Sequence, residues 1–413
     1  MARNQVSIPL EIPDVKVLQT EFNRQGELII TIESTRTDTR CRRCGQSITQ
    51  LHGHDSWVKI RYLPVFGRPS YLRYRPKRYY CTKCDTTTTQ QVEWHEPNSP
   101  HSTAYEDHLL LQLVNASVQD VSIKEALSYD SVLGVLERRI RSEVDWGHYN
   151  SLNVLGIDEI ALKKGHRDFV VIVTARLADN RLAILGVLEN REKDTVIEFL
   201  RSIPIRLLKT IRTVCSDMYE GFTEAVREEV KQAYLVVDRF HVTQKYRGAV
   251  DHLRKHELRR LKQELSASDY QQLKGSMWAL RKNRQDLKTD ERKVLRTLFS
   301  HSSDLKAAYD LQVQLTAIFD LKISKPSAKI KIKAWIKRVK KSGLTCFNEF
   351  LNTLDHWLEE ITNFFINRAN SGFVEGFNNR IKVLKRRSYG LYNLKHIFQR
   401  IFLDLEGFSL FAP

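Results

Sequence analysis

"VLGIDEIALKKGHRDFVVIVTARLADNRLAILGVLEN", residues 154–190, holds three apolar runs separated by two short polar breaks. The runs 154–163, 168–177 and 181–190 are rich in β-branched residues. The breaks "KGHR" and "ADN" supply turn formers, so the spacing predicts three strands in a meander. Further on, Val196, Phe199, Leu200 and Ile203 mark one face of a helix. "IRTVCSD" (211–217) then reads as a strand, 219–231 as a helix and "AYLVVD" (233–238) as a strand. A meander followed by alternating helix and strand predicts a mixed α/β sheet.

Three aspartates interrupt these strands. Asp158 breaks the run "VLGIDEI", while Asp217 and Asp238 end theirs. A strand-end aspartate has an ordinary alternative: Asp217 can cap the helix beginning near Tyr219, and Asp238 the one after it. Asp158 is harder to explain, because a carboxylate inside a strand costs solvation unless a positive partner meets it. Acids on neighbouring strands also repel each other, and a hard divalent cation with oxygen ligands resolves that repulsion.

From about residue 240 to 365 the pattern is helical and charged, with almost no strand signal. "SKPSAKIKIKAWIKRVKKSG" (324–343) holds eight Lys/Arg and no acid. "NSGFVEGFNNRIKVLKRR" (370–387) follows. As a helix from Phe373, it puts Glu375, Asn378, Asn379, Lys382 and Arg386 on one face. A lone carboxylate thus heads a basic stripe. Glu375 can join Asp158 and Asp217 in a two-magnesium site, with Lys382, Lys385, Arg386 and Arg387 lying where a phosphate backbone must run. The alternative is an ordinary surface glutamate.

Upstream, "ELIITIESTRTDTR" (27–40) and "SYLRYRPKRYY" (70–80) read as strands leading into two CxxC pairs, Cys41/Cys44 and Cys81/Cys84. Each pair can close a knuckle, and four thiolates satisfy one tetrahedral zinc; redox dithiols are the alternative. The 36-residue gap between the pairs needs two strands and a turn to bring its ends together. His52 and His54 then find no vacancy and are expected to be loop histidines. "EPNSPHS" (96–102) ends this segment, and three helical patterns follow at 105–115, 118–128 and 130–144. The tight connection between the last two outlines a helix-turn-helix, whose second helix carries Arg138, Arg139 and Arg141 for phosphate or base contacts. A plain helical linker with a basic solvated face is the alternative.

The chain has 413 residues, 42% of them hydrophobic, which suits several domains with real cores. Lys and Arg number 66 against 49 acids, a net +17 that favours a polyanionic partner such as nucleic acid. No apolar run approaches the ~18 residues of a membrane span, and "MARNQVSIPL" has no signal-peptide core, so a cytosolic, reduced setting and no membrane partner are expected.

Four motifs in order after the paired CxxC segment, "GIDEIALKKGH", "SDMYEGF", "VVDRFHV" and "NSGFVEGFNNRIKVLKRRSYGLYN", resemble the ISL-three family of bacterial insertion-sequence transposases over nearly the whole chain. The resemblance implies an RNase H-like core with a DDE triad on Asp158, Asp217 and Glu375. Asp238 and His241 would support the site as an Asp-x-x-His signature. It also implies an N-terminal zinc-binding domain and a helix-turn-helix. The expected layout is a zinc domain over 1–100, a helix-turn-helix over 101–150, the α/β core over 151–240, an all-helical insertion over 241–365, and the rest of the core over 366–413. The implied partners are double-stranded DNA, as element ends and target, and further copies of the chain, because synapsis of two ends needs at least a dimer. The implied cofactors are two catalytic magnesium ions and one structural zinc, in a bacterial cytoplasm at the nucleoid. A structure-selective DNA nuclease on the same core and a zinc-containing DNA-binding regulator without catalysis are the rival readings.

Overall fold

The structure, a computed structural model, describes residues 10, 12–161, 169–368, 379, 381–384, 386 and 393–412. The chain divides into two compact units, one of Met1–Ile140 with Leu403–Pro413 and one of Arg141–Phe402.

The first unit begins with β1 (Val15–Phe22), β2 (Leu28–Ser34), β3 (Thr39–Arg40), β4 (Ser47–Ile48) and β5 (Leu51–His54), followed by β6 (Val58–Val65), β7 (Arg68–Tyr74), β8 (Lys77–Cys81) and β9 (Thr86–Thr89). A four-stranded sheet runs in the order β1-β2-β7-β6, with β3–β4 and β5-β8-β9 forming smaller sheets beside it. Period-2 alternation builds its core: Ile60 and Tyr62 on β6 and Leu72 and Tyr74 on β7 point inward, while Lys59 and Arg73 face out.

Helices α1 (Thr103–Leu113), α2 (Val118–Glu125) and α3 (Tyr129–Arg139) follow. Serines 102, 117 and 128 cap them, each hydroxyl accepting a backbone N–H from the first turn, and Asp120 completes a capping box on α2. Ala126, in a left-handed conformation, ends α2 just ahead of Leu127 and the Ser128 cap. The C-terminal helix Leu394–Phe411 brings its last turns to this unit. Asp404 Oδ1 accepts the Asn115 N–H at 2.9 Å, and a Cβ at Gly407 would lie 2.6 Å from Val114.

The second unit is built on β10 (Val154–Ala161), β11 (Phe169–Arg176), β12 (Leu182–Leu188), β13 (Thr213–Ser216) and β14 (Tyr234–Val237). They form one sheet in the order β12-β11-β10-β13-β14. The three-strand meander is antiparallel, and β13 and β14 add in parallel beside β10. Parallel neighbours need crossovers, and α4 (Lys193–Ser202), α5 (Ile205–Leu208) and α6 (Glu220–Glu229) supply them. One sheet face packs Leu155, Ile157 and Val214 against Leu200 of α4 and Phe222 of α6. Gly186 is required here, since a Cβ would sit 2.5 Å from the Phe199 ring.

The other face packs Cys215 and Val236 against α7 (Arg239–Glu264). The helical segment continues through α8 (Ala267–Gln271), α9 (Ser276–Leu280), α10 (Thr289–His301), α11 (Ser303–Asp320), α12 (Lys325–Ser342), α13 (Asn348–His356) and α14 (Leu358–Asn367). In α12, Ala328, Ile332, Trp335 and Val339 are buried at helical spacing, and the Trp335 indole N–H donates to Leu311 O at 2.8 Å. Its lysines 331, 333, 337, 340 and 341 are left exposed. No described helix is long and apolar enough to cross a membrane.

Candidate functional site

Two groups of side chains have metal-ligand chemistry. In the first unit, Cys41 and Cys44 lie on the β3–β4 hairpin and Cys81 and Cys84 on the β8–β9 hairpin. Each turn is tightened by a left-handed residue, Gly45 at φ +70° and Asp85 at φ +47°, and the Gly45 N–H donates to Cys41 O at 2.8 Å. All four Sγ atoms lie within 4.8 Å of one another. Four sulfurs about 2.3 Å from a zinc ion sit about 3.8 Å apart along tetrahedral edges, and Cys44 Sγ and Cys81 Sγ are 3.8 Å apart. The donor set fits zinc.

The thiols also titrate apart. The backbone N–H groups of Cys44 and Arg43 hold Cys41 down at about 6, whereas hydrogen bonding with Cys44 pushes Cys84 up to about 12. One thiolate opposes the next, and a dication in place of the protons removes that conflict. His52 and His54 lie on β5, not in a loop, and His52 stacks on Tyr80 with centroids 6.0 Å apart. Neither belongs to the four-thiol group.

In the second unit, sheet register assembles the aspartates. Ile157 pairs with Ser216, and Ser216 with Val237. Asp158, Asp217 and Asp238 each come next, so they form one row across three adjacent strands, Asp158 within β10 and Asp217 and Asp238 just past the ends of β13 and β14. Asp158 Oδ1 accepts the Glu159 N–H at 2.7 Å. Asp238 is a helix cap: it is buried, and its Oδ1 accepts the Phe240 N–H at 2.7 Å, starting α7. Asp217 is different. The N-cap of α6 is Tyr219, without a side-chain cap, and Asp217 Oδ1 is buried with no hydrogen-bond partner among the described residues. Burial first and the Asp158 charge second push its carboxyl up to about 6, against the opposing pull of His241 and Arg191.

Asp217 and His241 open into a cavity of about 970 Å³ that follows α7 past Lys245, Gly248 and His252. On the far side of β10, Arg191 Nη1 lies 3.1 Å from Glu159 Oε2, and the guanidinium lies 4.9 Å from the centre of the Tyr219 ring. Sequence alone does not bring Arg191, Glu159 and Tyr219 together. The adjacency of Tyr219 to Asp217 was a usable clue, but nothing in "NREKD" sets Arg191 apart from any loop arginine.

Of the residues expected on the late basic helix, Asn379, Lys382 and Arg386 are helical and exposed while Ile381 and Leu384 are buried. Glu375, Asn378, Lys385 and Arg387 lie outside the described residues. The arginines expected on a recognition helix are all ion-paired. Arg138 Nη2 lies 2.6 Å from the buried Glu106 carboxylate, and Arg139 reaches Glu106 at 3.2 Å and Asp107 at 2.5 Å. Arg141 pairs with Asp145 and lies beyond α3, which stops at Arg139 because Ile140 turns inward in extended backbone.

The chain carries a mixed sheet with a row of aspartates and a separate four-thiol group, and comparison with known proteins gives its class. Residues 155–401 match the family described as "Transposase", the DDE transposases of the ISL-three type, and residues 37–84 match the "zinc-finger of transposase IS204/IS1001/IS1096/IS1165". The chain belongs to the ISL-three family of DDE transposases. It is 27% identical over 382 residues, 92% of each chain, to the transposase for insertion sequence element IS1001 of Bordetella parapertussis. To the transposase for insertion sequence element IS1557 of Mycobacterium tuberculosis it is 22% identical over 393 residues, covering 89% of this chain and 86% of the relative.

Proposed function

We propose that this protein binds the ends of its insertion sequence and performs magnesium-dependent cleavage and transfer of DNA strands on an RNase H-like core. The observation that carries the reading is Asp217, a half-buried carboxylate whose Oδ1 is buried without a hydrogen-bond partner among the described residues, one strand from Asp158. Such a group is stable ionised only beside a cation. The sheet order, an antiparallel meander extended by two parallel strands, supports the RNase H-like reading.

Asp158, Asp217 and Glu375 would hold two divalent ions, hard cations suited to carboxylate oxygen. When bound, such ions activate a water or 3′-hydroxyl and stabilise the leaving oxygen at phosphorus. Asp238 fixes the start of α7 and so sets His241 beside Asp217, which is a supporting role. The exposed α12 lysines, with Asn378, Asn379, Lys382, Lys385, Arg386 and Arg387, would carry the phosphate backbone.

In the N-terminal region the zinc ribbon and the α2–α3 pair, read as a helix-turn-helix, would recognise the element's ends. Arg138, Arg139 and Arg141 would contact DNA in this reading through the donors that Glu106, Asp107 and Asp145 leave open. A working complex joins two ends and is at least a dimer, acting on DNA in the bacterial cytoplasm at the nucleoid. The test is cleavage of labelled end DNA with magnesium by the wild type and by Asp158→Asn, Asp217→Asn and Glu375→Gln, each also assayed for end binding. All three variants are expected to bind and not cleave; full cleavage by Glu375→Gln removes it from the site.

A further inference from the structure

The motif "SDMYEGF" contains more than its aspartate. Tyr219 stands two residues past Asp217, and its ring rests on Gly221, where a Cβ would come within 2.6 Å of the ring. The ring also meets the fully buried Phe222 edge-on, with centroids 5.0 Å apart. Gly221 and Phe222 therefore fix the ring plane, and its free face carries the Arg191 guanidinium at 4.9 Å. Glu159 Oε2 holds the same guanidinium at 3.1 Å and is its hydrogen-bond partner among the described residues. The Arg191 side chain is still half-exposed. A planar five-donor cation, stacked on Tyr219, with the Phe169 ring centre 6.0 Å away and one nitrogen held by Glu159, has donors to spare for a ligand.

We propose that Arg191 is a phosphate-binding residue of the carboxylate site, that Tyr219 is its positioning residue, and that its ligand is a phosphodiester of the DNA strand being cut. The inference rests on the reading of Asp158 and Asp217 as the cleavage site. Strand alternation decides which phosphate. Asp158 and Glu159 are successive on β10 and point to opposite faces of the sheet; Ile157, of the same parity as Glu159, packs on the α4–α6 face. Arg191 thus stands across the sheet edge from the carboxylates and grips a phosphate flanking the scissile one. A guanidinium matches two oxygens of a phosphate in a way an ammonium does not.

The experiment uses the full chain, magnesium and labelled end DNA carrying a single neutral methylphosphonate at each position around the cleavage site in turn. Arg191→Ala is expected to slow cleavage roughly 10- to 100-fold, the range of a charge-assisted hydrogen bond. Arg191→Lys should recover only part of this, and Tyr219→Ala should fall similarly, with Tyr219→Phe restoring most of the rate. One flanking methylphosphonate should slow the wild type to the same degree and slow Arg191→Ala no further. A second readout, the affinity of Asp217→Asn for the same DNA set, locates the contact without chemistry. There the flanking position should weaken binding, and adding Arg191→Ala should erase that sensitivity. Wild-type cleavage by Arg191→Ala, or equal sensitivity of variant and wild type at every position, overturns the proposal. Absence of wild-type cleavage overturns the assigned reaction instead, and the affinity series then decides the phosphate contact alone.

Discussion

The four thiols and the row of aspartates solve opposite problems. Cys41, Cys44, Cys81 and Cys84 come from two short hairpins whose turns bring every Sγ within 4.8 Å of the others. Their contacts converge on one point, and that point fits one ion. Asp158, Asp217 and Asp238 come from three strands that only sheet register aligns. There the contacts diverge: Asp238 is taken up by a helix cap, and the buried Oδ1 of Asp217 has no partner among the described residues. A metal that holds a fold can be encoded by spacing alone. A row of carboxylates drawn from separate strands depends on sheet register, which no local spacing encodes.

The comparison breaks first at the zinc ribbon. Structural zinc binds with ~10–16 kcal/mol in small domains, and that binding is folding free energy. Cys81→Ser is expected to lose zinc by elemental analysis, unfold the ribbon by circular dichroism and abolish end binding. Zinc content equal to the wild type would show that the four thiols are not its site.

The carboxylates should behave in the reverse manner, losing activity while keeping the fold. Asp217→Asn is expected to reduce cleavage by at least ~1,000-fold with end binding within a few-fold, and adding Asp158→Asn should cost little more, because the two act as a unit. Multiplying effects in the double variant would separate the residues.

Stability sharpens the contrast. Burial, with the Asp158 charge behind it, pushes the Asp217 carboxyl up to about 6 from its ordinary 3.8. Below pH ~4 the group is protonated whether folded or not. Between about 4 and 6 the unfolded chain ionises first, so metal-free stability declines as pH rises, and above ~6 the loss is constant. Asp217→Asn removes that loss and is expected to stabilise the metal-free protein at pH 8 by ~1–3 kcal/mol, with the gain fading toward pH 4. Thermal unfolding with chelator across this range measures it; a destabilised variant at pH 8 would mean that Asp217 has a partner in solution. The smallest effect belongs to Asp238→Asn. An asparagine still caps a helix, so a stability loss under ~1 kcal/mol and residual cleavage are expected, whereas inactivity beside an active Asp217→Asn would exchange their roles.

Much of this could be read from residue order. Strands at 154–163, 168–177 and 181–190 were legible because alternation and turn residues are local properties, and the structure places them at Val154–Ala161, Phe169–Arg176 and Leu182–Leu188. The zinc ligands were legible because a knuckle is four residues long. The basic excess of 324–343 was legible as a charge count, and the structure adds that Trp335 and its neighbours are the buried face of α12.

What the sequence left open, tertiary structure decided wherever the partner was distant in the chain. Asp217 and Asp238 end their strands alike, and capping suited both; only the fold caps a helix with Asp238 and leaves Asp217 bare, because α7 starts at Asp238 while α6 starts two residues beyond Asp217. Arg138 and Arg139 look like free cations on a short helix, but α1 brings Glu106 and Asp107 against them. Arg191 has no local mark at all, and its position beside Glu159 and Tyr219 follows from strand order and from a glycine that lets a ring lie flat. Local spacing determines which elements form and which ligands can share an ion. Long-range packing determines which charges are neutralised, and the charge it leaves over marks the site.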